Sequence, residues 1–168
     1  FRRVLFRSAT KGFRGVYEVQ EQPRPHGHVI FDILYDRPSL LVPASLTAEV
    51  PERVSFEGKV LEELDEAALR AALQPLKRAE VTSVAVSLLF SFLHPKHEQR
   101  VREIVLEEMP GVEVSLSCEI VPQIREYYRL STTVINAYLQ PILARYIANL
   151  EGRLTGAGVK TRQKYIMQ

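Results

Sequence analysis

The strongest constraint on this chain lies in ten consecutive residues, Val81 to Phe90, which read Val-Thr-Ser-Val-Ala-Val-Ser-Leu-Leu-Phe. Apolar and β-branched residues occupy both phases of the alternation, so neither face of such a strand tolerates water. It has to lie in the middle of a sheet covered on both sides. Sheets of that kind are parallel and need crossover helices, and the flanking sequence supplies them.

Upstream, Asp65 is placed to cap a helix, with Leu64 and Leu69 positioned as a hydrophobic staple and Leu69, Leu73 and Leu76 on one face. Pro75 lacks the N–H that would bond Ala71, which predicts a last turn that is kinked or not α-helical. Downstream, Pro95 suits the first position of a second helix. Its apolar stripe is Val101, Ile104, Val105 and Met109, and Glu98 and Arg102 form an i,i+4 pair assigned to the surface. Pro110-Gly111 ends it. Val112, Val114, Leu116 and Cys118 then alternate with polar residues, as in a strand with one buried face. A long helix follows, with Ile135, Leu139, Ile142, Tyr146, Leu150 and Leu154 as its core stripe and a kink expected at Pro141; a further strand begins at Tyr165. The order strand, helix, strand, long helix, strand describes an α/β chain of two successive βαβ units over a parallel sheet.

The first third is less regular. A short strand is expected between Gly15 and Gln20, and Pro23, Pro25 and Gly27 then impose a loop. His28 to Tyr35 is ambiguous between strand and helix. Leu46–Val50 and Arg53–Phe56 read as short strands around a turn, giving a small β-rich, hairpin-like segment before the βαβ units.

The remaining bounds are compositional. Hydrophobic residues at 46% and charged residues at 25% fit an ordinary globular protein, and the apolar runs are too short for a bilayer. With Cys118 as the one cysteine there is no internal disulfide, so a reducing, cytoplasmic setting is expected; no signal peptide precedes the chain. Phe1 to Ser8 reads, codon for codon, as the in-frame translation of a common sequencing-library adapter. Residues 1 to 8 are therefore set apart as non-native and are expected to pack against nothing. Without Arg2, Arg3 and Arg7, Lys+Arg falls from 22 to 19 against 20 Asp+Glu, so the charge changes from +2 to −1 and a nucleic-acid reading loses its basis. The apolar end at Tyr165-Ile166-Met167-Gln168 looks like a buried strand cut short.

Open α/β sheets bind ligands beyond the carboxyl ends of their strands, which points to Ser91–His97 and Glu119–Arg129. His94 and His97 are either metal ligands short of a third partner, or a helix cap and a solvated first-turn side chain. His26 and His28 carry the same two readings. Cys118 reads as a small buried hydrophobe before it reads as a nucleophile. The tract from Glu119 to Asn136 is denser, with Arg125, Glu126, Arg129, Ser131, Thr132 and Asn136 gathered at a strand end and a helix start. It reads either as a site for an anionic or polar substrate or as helix capping plus surface ion pairs. No GxxxxGK[ST], GxGxxG, GxSxG or HExxH occurs in the sequence.

Several short motifs in order then resemble one family. Lys11-Gly12-Phe13-Arg14, Leu41-Val42-Pro43, Pro51-Glu52-Arg53, His94-Pro95-Lys96-His97-Glu98, Ser117-Cys118-Glu119, Ile124-Arg125-Glu126-Tyr127, Ser131 to Tyr138 and Tyr165 to Gln168 are similar to motifs of the hydantoinase A and 5-oxoprolinase family. The likeness runs from about Thr10 to the end, with Gly15, His94 and Cys118 departing from the usual Asp, Asn and Ser. It implies an actin-like ATPase (ribonuclease H-like) fold and the ATP-dependent, divalent-metal-assisted opening of a cyclic amide. It also implies nucleotide motifs outside this segment and a second (B-type) subunit or fused domain, with no nucleic acid or membrane partner. Residues 9–120 would be the end of the N-terminal region and 121–168 the start of the main hydantoinase A domain. Substrate contacts would come from Arg125, Glu126, Arg129, Ser131, Thr132, Asn136 and Lys11. Within the family, a subunit of an acetone carboxylase-type enzyme is the alternative; outside it, a non-catalytic α/β module that binds a small molecule.

Overall fold

A computed structural model describes residues 5–19, 31–36, 39–159 and 161. Four strands form one sheet in the order β2-β1-β5-β6: β1 (Leu5–Thr10), β2 (Thr47–Val50), β5 (Ser83–Ser87) and β6 (Glu113–Leu116). Every pairing in it is parallel. Two short strands, β3 (Arg53–Val54) and β4 (Val60–Glu62), make a separate antiparallel ribbon. The helices are α1 (Val16–Val19), α2 (Glu66–Arg78), α3 (Lys96–Glu108), α4 (Ser117–Ile120) and α5 (Glu126–Gly156).

Alternation along the strands divides the core in two. Val84 and Val86 of β5, with Phe6 of β1, pack against Leu69, Leu73 and Leu76 of α2 and Val101, Ile104 and Val105 of α3. Leu5 and Ala85 face the other way, onto Tyr17, Leu130, Val134 and Ala137. Each fully buried Leu, Ile or Val contributes about 1.5–3 kcal/mol, so these two layers hold the sheet. Asp65 caps α2 by accepting from the Ala68 N–H at 2.9 Å. The α2 helix passes through Pro75 and ends with i→i+3 bonds from Ala79 to Leu76 and from Glu80 to Lys77. After α3, Gly111 at φ +87° turns the chain into β6 with a backbone that side chains rarely adopt.

The α/β class, the central strand β5 and both helices beside it are as the sequence predicts, and the parallel sheet with its helical crossovers is consistent with an actin-like ATPase fold. Several expectations are corrected. Residues 5–8 do not stand clear of the fold: they begin β1, between β2 and β5, with Leu5 and Phe6 buried. Gly15 to Gln20 is not a strand, because Val16–Val19 forms a helical turn. The ribbon pairs Arg53–Val54 with Val60–Glu62, while Thr47–Val50 joins the main sheet through β1. Pro95 stands one position earlier than expected, at the N-cap of α3. Cys118 lies in the α4 turn and not on β6, which stops at Leu116. The α5 stripe is reversed: Leu130, Thr133, Val134 and Ala137 are buried, whereas Ile135, Leu139 and Tyr146 are exposed. The strand expected at Tyr165, and His26 and His28, lie outside the described residues.

Candidate functional site

A cleft of about 740 Å3 opens beyond the carboxyl ends of β1 and β5, against the N-terminus of α5. That is where parallel sheets place ligands. Its wall is largely apolar and aromatic, with Phe13, Phe90 and Tyr127 in the lining, and its charged groups are Arg53, Arg125 and Glu126. The Arg53 guanidinium lies 4.9 Å from the centroid of the Phe13 ring. Gly12, at φ +86°, carries the chain from β1 into this wall. Two non-glycine residues of the lining are also left-handed, Phe90 at φ +52° and Arg125 at φ +81°. Such conformations cost about 1–3 kcal/mol each and gather where a surrounding structure enforces them, commonly at ligand sites.

Buried carboxylates enforce this one. Glu98, fully buried in the first turn of α3, accepts the Leu88 N–H at 2.8 Å, the Ser117 hydroxyl at 2.6 Å and the Cys118 N–H at 2.9 Å. This corrects its surface assignment, and Arg102 pairs with Glu119 instead. Glu52, also buried, accepts the Thr10 hydroxyl on one oxygen and lies 2.8 Å from His97 Nδ1 with the other. Thr10 Oγ1 in turn accepts the Leu89 N–H at 2.9 Å. One polar line thus runs from His97 through Glu52 and Thr10 to the cleft wall at Leu89. His97 is buried and not solvated, and the cap position of α3 is filled by Pro95, not His94. Burial, followed by the charges of His97 and Lys96, lowers the pKa of His94. The Cys118 thiol is pushed up to about 12, chiefly by burial and then by the Glu98 carboxylate, so it is no thiolate at neutral pH.

The residues singled out in the sequence separate into two groups. Arg125 and Glu126 line the cleft. Arg129 is buried behind it, donating to the Leu88 carbonyl at 2.5 Å and the Gln123 carbonyl at 3.2 Å, with its guanidinium 5.4 Å from the Phe92 ring centroid. Burial lowers its pKa. Ser131 donates to the Tyr128 carbonyl one turn back, Thr132 is exposed, and Asn136 donates to Ser115 Oγ on β6. Lys11 is exposed at the end of β1 and bonds Val50 through its backbone. The structure therefore does not gather Ser131, Thr132, Asn136 and Lys11 at the cleft lining. Phe13, Arg53 and Phe90 escaped the sequence reading, although Phe13 and Arg53 lie in motifs that it singled out.

Among the described residues no three His, Cys, Asp or Glu side chains are placed to hold a metal ion. No glycine-rich phosphate cradle is present in the sequence either. The described residues do not fit a metal–nucleotide site. No helix among the described residues is long and apolar enough to cross a membrane.

The profile of the hydantoinase/oxoprolinase N-terminal region matches residues 5–109. Caprolactamase subunit alpha of Pseudomonas jessenii is 36% identical over 93% of this chain and 22% of its own length. The gamma subunit of acetophenone carboxylase from Aromatoleum aromaticum is 37% identical over 73% of this chain and 18% of its own. The crystal structure of the ATP-dependent caprolactamase from Pseudomonas jessenii superposes with a TM-score of 0.81 at 33% identity, covering 95% of this chain and 23% of that one. The chain thus spans less than a quarter of the length of these relatives. With a profile matching more than half its residues and relatives above 30% identity along most of its length, the chain belongs to the hydantoinase/oxoprolinase family.

Proposed function

We propose that this chain is part of an ATP-dependent cyclic amide hydrolase of the 5-oxoprolinase or hydantoinase type, to which it contributes one wall of the substrate cleft. The observation that carries the reading is the apolar cleft at the strand ends, with Arg125 held left-handed at its rim. The aromatic and aliphatic lining suits a small ring, and Arg125 and Arg53 supply fixed positive charge for an oxygen that gains negative charge when the ring opens. Arg129 supports this wall from behind through Leu88. Residues 5–120 form the end of the N-terminal region and residues 121–168 begin the main domain. ATP, a divalent ion and a second subunit are supplied by the rest of the assembly.

The test is made in the complete protein. Lys keeps the charge of Arg125 but loses its two-pronged geometry, so Arg125→Lys is expected to lower kcat/KM by roughly ten- to a thousandfold with an unchanged melting curve. Activity within about twofold of wild type, or activity falling only in step with stability, refutes the assignment. A second reading, a subunit of a ketone carboxylase, is favoured by the similarity to acetophenone carboxylase. Bicarbonate-dependent ATP consumption with a ketone, and none with 5-oxoproline or a hydantoin, selects that reading.

A further inference from the structure

The first part of α5 packs across β5 and β6 through Leu130, Val134 and Ala137; the part that follows does not pack on the sheet. The helix has 31 residues and is therefore about 46 Å long. From Leu143 to Asn149 every residue is exposed, on all sides of the helix axis. Yet this stretch carries a broad apolar stripe: Leu143 is 53% exposed, Tyr146 60% and Ile147 41%, while Arg145 and Asn149 hold the opposite side. Ile135 and Leu139 extend the same surface back towards the sheet. A helix with so broad an exposed apolar stripe is built to be covered by further protein.

We propose that the second half of α5, from about Leu143 to Leu154, is a docking surface enclosed by the remainder of the same polypeptide in the complete protein. Two observations select this occupant. The profile of the N-terminal region ends at residue 109, so α5 lies beyond it. The superposed caprolactamase chain has more than three-quarters of its length outside the matched part, enough to build an enclosing domain. The inference rests on family membership and not on the substrate reading, so the two fail separately.

The experiment uses the complete protein. Ile147→Cys is labelled with a maleimide under native conditions, and its rate is compared with that of Lys59→Cys, whose side chain is 76% exposed, by mass spectrometry of the two peptides. At least tenfold slower labelling of position 147 is expected, unchanged when the protein is diluted to a monomer. Equal rates overturn the proposal, and protection that disappears on dilution assigns the surface to a second copy and overturns the chosen occupant. Hydroxyl-radical footprinting of Tyr146 in the unsubstituted protein gives the same readout without any substitution: low oxidation is expected, and oxidation at the level of a fully exposed tyrosine refutes the proposal.

Discussion

Strands β1 and β5 lie side by side, and every residue of both is buried, yet they are built from different material. β5 is Ser-Val-Ala-Val-Ser, with its polar residues at the ends. β1 is Leu-Phe-Arg-Ser-Ala-Thr, with Arg7 and Ser8 in the middle. Arg7 survives there because its guanidinium finds Thr47 Oγ1 at 2.7 Å, the Arg14 carbonyl at 2.9 Å, the Glu18 carboxylate and the Tyr17 ring. Even so, Arg7 Nη1 and Ser8 Oγ are buried without a partner, and no other strand of the sheet carries such an atom among the described residues. Equal burial therefore does not mean equal stabilisation. β5 gains from Val84, Ala85 and Val86, while β1 meets a desolvation cost that its partners only partly offset.

Substitutions on the two strands should reveal this asymmetry. The largest effect is expected for Val84→Asp on β5. It buries an unpaired charge between α2 and α3 and should cost about 4 kcal/mol or more, seen as loss of soluble protein or of a cooperative urea transition. A folded variant within about 1 kcal/mol of wild type would show that this layer admits water. Next comes Thr10→Val at the end of β1. It keeps the shape but strips the Leu89 N–H and a Glu52 oxygen of their partner, for a loss of about 1–3 kcal/mol. An unchanged denaturation midpoint would mean that the polar line to His97 holds nothing in place. The smallest effect has the opposite sign. Ser8→Ala removes from β1 a buried hydroxyl that has no hydrogen-bond partner, so a gain of about 0.5–1 kcal/mol is expected by chemical denaturation. A loss of similar size would show that the hydroxyl is satisfied in the folded protein.

The same contrast explains what the sequence made legible. β5, α2 and α3 could be read because their apolar pattern has one period and one solution, and Asp65 marks a helix start by its own chemistry. β1 could not, because residues 1 to 8 match an adapter codon for codon and Arg7 argues against a core strand until its partners, up to forty positions away, are known. On α5 the periodicity was present but ambiguous: the helix carries two apolar faces, and the one that docks on the sheet includes Arg129 and Thr133, which no hydrophobic pattern would choose. Glu98 misled for a related reason. Its spacing to Arg102 fits a surface pair, while its position in the first turn of α3 beside two strand ends gives it three buried donors. Of the cleft, Arg125 and Glu126 were reachable from the strand-end rule. Phe13 and Phe90 come from separate turns and Arg53 from β3, and only folding brings them together.

The peptide groups around Leu88 carry a last consequence. The Leu88 N–H is held by the Glu98 carboxylate, its carbonyl by the Arg129 guanidinium, and the next N–H by Thr10. A loop pinned by one anion, one cation and one hydroxyl has little freedom left to lose when a guest arrives, so association there forfeits less entropy than it would on a slack loop. Binding to this wall should therefore show a small ordering penalty, with affinity set by contacts and by the release of water.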